Sequence, residues 1–116
     1  MLFICYPKCT TCQRAKKYLD DRNAVYELRD IKEDRPTRSE LEKWYKASGL
    51  PLKKFFNTSG LQYKALNLKE KLPGMSEEEQ LDLLASDGML VKRPILVSGK
   101  KVLVGYKEAE YEQALK

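Results

Sequence analysis

The chain has 116 residues, enough for one domain over residues 1–116 with a core that needs no disulfide bonds. Hydrophobic residues make up 42%, and 22 basic and 17 acidic residues give a net charge of +5. The interleaved charges favour an anionic small molecule or an acidic partner over nucleic acid. No stretch of about 18 apolar residues is present and the first residues lack a secretory pattern, so we expect a cytoplasmic protein that crosses no membrane. The absence of histidine excludes Cys–His dyads and His-ligated zinc.

The first 31 residues predict a β–α–β unit. A short apolar strand is expected over Leu2–Tyr6, where Pro7 ends it. Helical spacing of apolar residues predicts a helix from Thr10 to about Asn23, with an apolar stripe formed by Ala15, Tyr18 and Leu19. Alternation of apolar and polar residues predicts a second strand over Ala24–Ile31.

The middle of the chain predicts a block of short helices, over about residues 37–90. Thr37 or Ser39 can cap a helix that runs to about Ser48. A short helix over Leu52–Gly60 would end at its glycine, and Leu61–Leu66 predicts another turn or helix. A further helix is expected between the N-cap Ser76 and Gly88.

The last segments predict a strand over Arg93–Ser98, a turn at Gly99–Lys100, a strand over Lys101–Tyr106 and a helix over Lys107–Lys116. The resulting order is βαβ, then short helices, then ββα. This order is typical of an α/β protein with a thioredoxin-like, four-stranded mixed sheet and an inserted helical block. That fold keeps a redox-active Cys-x-x-Cys pair just after its first strand, where this chain has Cys9 and Cys12.

The three cysteines have several possible roles. A structural zinc site needs four Cys or His ligands, so no metal site is predicted. Cys5 lies inside the first predicted strand and is interpreted as a small core residue. Cys9 and Cys12 lie at a strand-to-helix junction among basic residues, and this position favours a working dithiol.

The expected helix start gives the two cysteines different roles. Cys9 would be the N-cap residue, with Thr10 and Thr11 in the first turn, where free N–H groups and the helix dipole favour a thiolate. Lys8 and Arg14 add positive charge nearby. Cys9 is therefore predicted to be the attacking thiol and Cys12, one turn later, the resolving thiol; alternatively the pair is a reversible disulfide that senses oxidants.

Arg93 and Pro94 form the second candidate feature. By analogy with the thioredoxin fold, Pro94 is expected to be cis and to face the cysteine pair. Arg93 would then lie close to Cys9, lower the pKa of its thiol and hold an oxyanion or a carboxylate. We expect Arg93 to act with the two cysteines, and the neighbouring residues Lys8, Thr10, Thr11 and Pro94 to contact the substrate.

Three segments, YPKCTTCQRAKKYL, KKFFNTSGLQYKAL and KRPILVSGKKVLVGYKEAEYEQAL, resemble the ArsC/Spx family over nearly the whole chain. This resemblance implies a thioredoxin-like core with inserted helices. In the arsenate reductases of the family, the counterpart of Cys9 attacks arsenate and the counterpart of Arg93 assists. Those enzymes usually carry histidine at the position of Cys5 and arginines near Asn57 and Gly105, so this chain departs from their arsenate site.

The resemblance implies two functions. One is a thiol-disulfide oxidoreductase, arsenate reductase-like or glutaredoxin-like, whose Cys9–Cys12 pair is restored by thioredoxin, glutaredoxin or glutathione. The other is a Spx-like redox-sensing regulator that binds the C-terminal domain of the RNA polymerase α subunit around Gly49–Lys53. Spx chains usually continue into a basic tail, whereas this chain stops at Lys116, which favours the enzyme. A monomer is expected, with no bound cofactor beyond glutathione as a candidate reductant.

Overall fold

The computed structural model describes residues 1–116. It begins with strand β1 (Leu2–Cys5), helix α1 (Thr10–Asp21) and strand β2 (Glu27–Asp30). The two strands pair in parallel, with Leu2 opposite Glu27 and Cys5 opposite Asp30. Helix α1 forms because its buried residues recur at helical spacing and turn one face to the sheet: Cys12, Ala15, Tyr18 and Leu19.

Strands β3 (Ile95–Ser98) and β4 (Lys101–Val104) complete the sheet. They form a hairpin whose turn contains Gly99 at a φ of 60°, a left-handed conformation that glycine adopts without strain. Strand β3 also pairs antiparallel with β1, so the strand order is β2-β1-β3-β4. The predicted four-stranded mixed sheet is therefore confirmed.

A block of short helices separates β2 from β3. It consists of α2 (Arg38–Ser48), α3 (Leu61–Ala65), α4 (Leu68–Lys71) and α5 (Glu77–Ser86), with 3₁₀ turns at Leu52–Phe55, Leu72–Gly74 and Gly88–Leu90. Helix α6 (Glu108–Ala114) follows the sheet. None of the six α-helices qualifies as a membrane span, and α1 has only 12 residues.

The sheet separates two hydrophobic cores. Side chains alternate along β1, so Ile4 faces one core and Phe3 and Cys5 face the other. The larger core contains 16 buried residues and joins the sheet to the helical block. The smaller core joins the sheet to α1 and α6, and its 8 buried residues are Phe3, Cys5, Cys12, Ala15, Tyr18, Leu19, Leu96 and Tyr111.

The helix predicted over Leu52–Gly60 is wrong beyond its first turn. The 3₁₀ turn ends at Phe55, and Phe56 forms an isolated antiparallel bridge with Val91. The N–H of Asn57 donates to the carbonyl of Leu90 at 2.8 Å. These long-range backbone hydrogen bonds replace the ones that a longer helix would have made. Gly60 consequently precedes α3 instead of ending a helix.

Helix α5 and strand β2 also differ from their predicted bounds. Helix α5 ends at Ser86 with Asp87 as its C-cap, so Gly88 opens a 3₁₀ turn rather than stopping the helix. Strand β2 is shorter than the predicted Ala24–Ile31 because it lies at the edge of the sheet and pairs only with β1. Val25 is 87% exposed and Leu28 is 52% exposed, so neither belongs to a buried face.

An ion pair fixes the start of the helical block to β2. Arg29 in β2 donates to the two carboxylate oxygens of Glu40 in α2 at 2.6 and 2.9 Å. Glu40 also completes a capping box with Thr37, which selects Thr37 over Ser39 as the N-cap. The Arg29 guanidinium lowers the pKa of Glu40 to about 2, against the opposing effect of burial.

This ion pair predicts a loss of stability in acid. A folded-state pKa below the unfolded value means that the pair stabilises the fold above about pH 4.5 and that this contribution is lost as the pH falls towards about 2. Because Glu40 is 33% exposed, we expect the screened contribution to be only about 1–2 kcal/mol. Glu40→Gln keeps a capping-box side chain and should lower the free energy of unfolding by this amount at pH 7.

Urea denaturation from pH 7 to pH 3 tests this expectation. The difference between wild type and Glu40→Gln should shrink as the pH falls. Glu112→Gln, at an exposed residue of α6 without an ion pair, is the matched control and should show little difference at any pH. An equal loss in both variants would contradict the assignment.

Candidate active site

The loop between β1 and α1 places the cysteine pair. The N–H of Cys9 donates to the carbonyl of Tyr6 at 2.9 Å, and the side-chain amide of Gln13 donates to the carbonyl of Pro7 at 2.9 Å. Cys9 is the N-cap residue, and its carbonyl accepts the hydrogen bond from the N–H of Gln13 at 3.0 Å. The first free thiol after β1 is therefore held at the positive end of α1.

The half-buried thiol of Cys9 lies near the backbone N–H groups of Cys12 and Thr11, without ideal capping geometry. Its pKa is lowered. Burial alone would raise the pKa, but the N–H of Cys12, the Cys12 thiol, the N–H of Thr11 and the charge of Arg93 together outweigh it. Cys9 therefore carries more of the reactive thiolate at neutral pH than an ordinary cysteine.

The thiol of Cys12 has the opposite environment. Cys12 is 1% exposed, and its Sγ accepts a hydrogen bond from the N–H of Tyr6 at 3.4 Å. Its pKa is raised, first by its contact with the Cys5 thiol, then by burial and by the nearby charge of Cys9. The pair therefore combines a reactive outer thiol with a protonated inner one.

The Arg93–Pro94 peptide bond is cis, as the fold analogy predicts. The Nη1 atom of Arg93 donates to the carbonyls of Met89 and Val91 at 3.1 and 3.4 Å, and the guanidinium lies over the ring of Tyr6 at 5.4 Å. These contacts fix the orientation of the guanidinium. Its Nε and Nη2 groups have no acceptor within the protein, so they remain available to an anion.

The predicted substrate-contacting residues lie in different surroundings. Lys8 and Thr10 are exposed beside Cys9, and Thr11 is half-buried. Pro94 is buried, and its carbonyl accepts a hydrogen bond from the N–H of Gly105 at 2.8 Å. Three of the four therefore lie at the solvent-facing side of the cysteine pair, and their role as substrate contacts stays a prediction.

A basic groove of about 730 Å³ lies next to the cysteine pair, and Thr11 is one of its lining residues. Thr58 also lines this groove, and Glu110 is its one acidic residue. Its positive charge comes from four lysines, Lys53, Lys54, Lys92 and Lys107. Cys9, Cys12 and Arg93 do not line the groove, so it adjoins the thiol site without containing it. Sequence reasoning missed these lysines because they come from three separate segments that show no common local pattern.

The position of Arg93 predicts a charge effect on Cys9. We expect Arg93→Gln to raise the pKa of Cys9 and slow its alkylation by iodoacetamide several-fold at neutral pH, because the guanidinium charge stabilises the thiolate. Arg93→Lys should keep most of the rate. Arg14→Gln removes an exposed charge of α1 and is the control, with a smaller effect expected. Equal slowing by Arg93→Gln and Arg93→Lys would show that charge is not the cause.

The sheet order and the Cys-x-x-Cys pair at the start of α1 define a thioredoxin-like protein with inserted helices. The model of the ArsC family matches residues 5–114. The chain therefore belongs to the ArsC family.

Three curated relatives cover nearly the whole chain. The uncharacterised protein YusI of Bacillus subtilis is 55% identical over 97% of this chain and 96% of its own length. The regulatory protein MgsR of Bacillus subtilis is 32% identical over 95% of this chain and 86% of its own length. The global transcriptional regulator Spx of Staphylococcus aureus is 26% identical over 94% of this chain and 82% of its own length.

Solved structures of related proteins have the same fold. An ArsC family related protein from Bacteroides fragilis is 56% identical, with a TM-score of 0.95 over 97% of this chain and 95% of its own. A possible arsenate reductase from Streptococcus mutans is 51% identical, with a TM-score of 0.89 over 97% of this chain and 95% of its own. Arsenate reductase-like and regulatory proteins therefore both occur among the relatives.

Proposed function

We propose that this protein is a thiol-disulfide oxidoreductase that uses Cys9 and Cys12. The observation that carries the proposal is the asymmetry of the pair. Cys9 is half-buried at the N-terminus of α1 with a lowered pKa, and Cys12 is buried with a raised pKa. An attacking thiol must be a thiolate when it meets substrate, whereas a resolving thiol must stay unreactive until the mixed disulfide forms.

The first step is attack of the Cys9 thiolate on one sulfur of a substrate disulfide. A bond forms between Cys9 Sγ and that sulfur, the substrate S–S bond breaks, and the other substrate sulfur leaves as a thiolate. The free N–H groups of the Arg93 guanidinium are available to a carboxylate of the substrate. The positive charge beside Cys9 supports anionic substrates.

The second step is attack of Cys12 on Cys9 Sγ. The charge of the Cys9 thiolate contributes to the raised pKa of Cys12, and that charge disappears in the mixed disulfide. Cys12 therefore becomes easier to deprotonate once Cys9 has reacted. A Cys9–Cys12 disulfide forms, and the second substrate sulfur leaves with the proton that Cys12 gives up.

An external thiol must then reduce the Cys9–Cys12 disulfide. Thioredoxin or glutaredoxin would supply both electrons as a dithiol, and glutathione would supply them as two molecules. Glutathione is anionic, which matches the basic groove next to the cysteine pair. We propose such thiols as partners of a monomeric, cytoplasmic enzyme without a bound cofactor.

A disulfide is a better candidate substrate than arsenate. The two arginines implied by the resemblance to arsenate reductases would fall near Asn57 and Gly105, where this chain has none. A disulfide needs no such oxyanion clamp, because its leaving group is a thiolate.

Titration of the wild type and Cys12→Ser in glutathione redox buffers tests the proposal. We expect the wild type to form one reversible intramolecular disulfide and to turn over a disulfide substrate with an external thiol. Cys12→Ser should instead keep glutathione bound to Cys9. A cysteine pair that never oxidises, with an ordinary pKa at Cys9, would overturn the proposal.

A Spx-like regulator is the second candidate function. The observation that favours it is the identity to MgsR and Spx, at 32% and 26%. In this case the Cys9–Cys12 pair would be a switch, and the segment Gly49–Lys53 beside the basic groove would contact the C-terminal domain of the RNA polymerase α subunit. Binding of that purified domain to the reduced or oxidised protein, without disulfide turnover, would favour the regulator over the enzyme.

A further inference from the structure

Cys5 is a third thiol beside the pair, and the mechanism above does not use it. It is the last residue of β1 and is 5% exposed. Alternation along β1 turns Cys5 and Phe3 towards α1 and α6, where they share a core with Cys12. The sequence indicates only a small buried residue at this position, since a side chain inside a strand has no visible relation to the helix that follows.

Cys12 adjoins both of the other cysteines. It shares the smaller core with Cys5, and Cys9 packs against the same core. The hydrogen bond from the N–H of Tyr6 also holds Cys12 Sγ against the end of β1, next to Cys5. Thiol-disulfide exchange at Cys12 requires the attacking thiol of Cys5 to approach Cys12 Sγ, and the shared core already places these two side chains together.

We propose that Cys5 is a third redox residue, which replaces Cys9 as the disulfide partner of Cys12 by internal thiol-disulfide exchange. The exchange starts from the Cys9–Cys12 disulfide, so this inference rests on the proposed function. A bond forms between Cys5 Sγ and Cys12 Sγ, the Cys9–Cys12 bond breaks, and Cys9 leaves as a thiolate. The proton of Cys5 goes to solvent or to Cys9. The number of disulfides is unchanged, so no further oxidant is required.

The exchange moves the disulfide away from Cys9, the outer thiol. Cys9 returns to its reduced form at the surface, while the disulfide moves into the core between β1 and α1, where both of its cysteines are buried. The internal disulfide is shielded from external thiols, whereas Cys9 can again form a mixed disulfide. The oxidised protein is therefore expected to be a mixture of two disulfide isomers.

The positions of Lys8 and Arg14 allow a direct test, because trypsin cleaves after both. Cys5 then lies in the peptide 1–8, whereas Cys9 and Cys12 share the peptide 9–14. A Cys9–Cys12 disulfide stays inside one peptide, and a Cys5–Cys12 disulfide joins two. The full-length protein is oxidised with oxidised glutathione, quenched in acid, alkylated with N-ethylmaleimide, digested and mapped by mass spectrometry.

We expect the peptides joined by a disulfide to appear after the internal disulfide of peptide 9–14 and to rise to a plateau. Over the same time N-ethylmaleimide should label less Cys5 and more Cys9. Cys5→Ala should lose the joined species and keep the Cys9–Cys12 disulfide. Cys9→Ser should lose or strongly delay the joined species, since the buried thiols then lack an exposed sulfur through which oxidation can begin.

Two results would overturn the inference, and they differ in what they say of the proposed function. If only the Cys9–Cys12 disulfide forms and Cys5 always carries the label, the proposed function stands and the exchange is wrong. If no disulfide forms in the wild type, both are wrong. Joined peptides that form equally fast in Cys9→Ser would show direct oxidation of Cys5 and Cys12, which also contradicts the exchange. The mapping of the wild type does not depend on whether the variants fold.

Discussion

Cys9→Ser is expected to lower disulfide turnover by at least about a thousandfold, because removal of a catalytic nucleophile costs factors of this order or more. A serine hydroxyl at the N-terminus of α1 can cap the helix, so the fold should be retained. Cys12→Ser should also stop multiple turnover, but one step later, since Cys9 can still attack and release the first substrate thiol.

The two variants are distinguished by their products. With a chromogenic disulfide, Cys12→Ser should release one equivalent of thiol and keep the other half of the substrate on Cys9, as measured by mass. Cys9→Ser should release none above the background rate of the buried thiols. Turnover of Cys9→Ser at the rate of the wild type would show that another residue is the nucleophile. Release of only one equivalent of thiol by the wild type, with no further turnover, would show that Cys12 does not resolve the intermediate.

Gly88→Ala is expected to destabilise the fold by about 2–3 kcal/mol, because an added methyl group has no room there. A Cβ at this position would collide with the backbone carbonyl of Ile31, which follows β2, and would crowd the Cβ of Arg35. Backbone cannot move aside as a flexible side chain can. The 3₁₀ turn at Gly88–Leu90 would therefore have to shift as a unit.

Urea denaturation of Gly88→Ala and Gly74→Ala measures this effect. Gly74 also lies in a 3₁₀ turn, but apart from Gly74 and its neighbours along the chain no atom lies within 4 Å of the place that its Cβ would take, so Gly74→Ala should be nearly neutral. Because Met89 and Val91 accept the hydrogen bonds from Arg93, Gly88→Ala should also slow alkylation of Cys9. Equal stability of the two variants would contradict the steric argument.

The parts of the fold that could be predicted are those whose cause is local. The stripe of α1 and the N-cap Ser76 depend on residues within a few positions of one another. For α2 the sequence left Thr37 and Ser39 as alternatives, and the structure has Thr37. The helix predicted over Leu52–Gly60 failed because Phe56 pairs with Val91, a residue far along the chain. Local propensity contains no information about such a partner.

The candidate site divides in the same way. The position of Cys9 at the N-cap of α1 follows from the strand-to-helix junction, which the sequence predicts. The contact between Cys12 and Cys5 depends on how α1 is rotated over the sheet, and only the packing of the smaller core determines that rotation. The basic groove depends on where the helical block lies against β4, which no single segment encodes.

The division of the interior by the sheet has a consequence for how a reductant can reach the inner sulfurs. The thiols belong to the smaller core of 8 buried residues, and the helical block belongs to the larger core of 16. Proteins open in cooperative parts, and a part with fewer buried contacts opens at a lower free energy than the whole. A transient opening of the α1 and α6 layer would expose Cys12 while the sheet and the helical block remain folded. Reduction of a buried Cys5–Cys12 disulfide would then depend on the free energy of this partial opening and not on that of global unfolding.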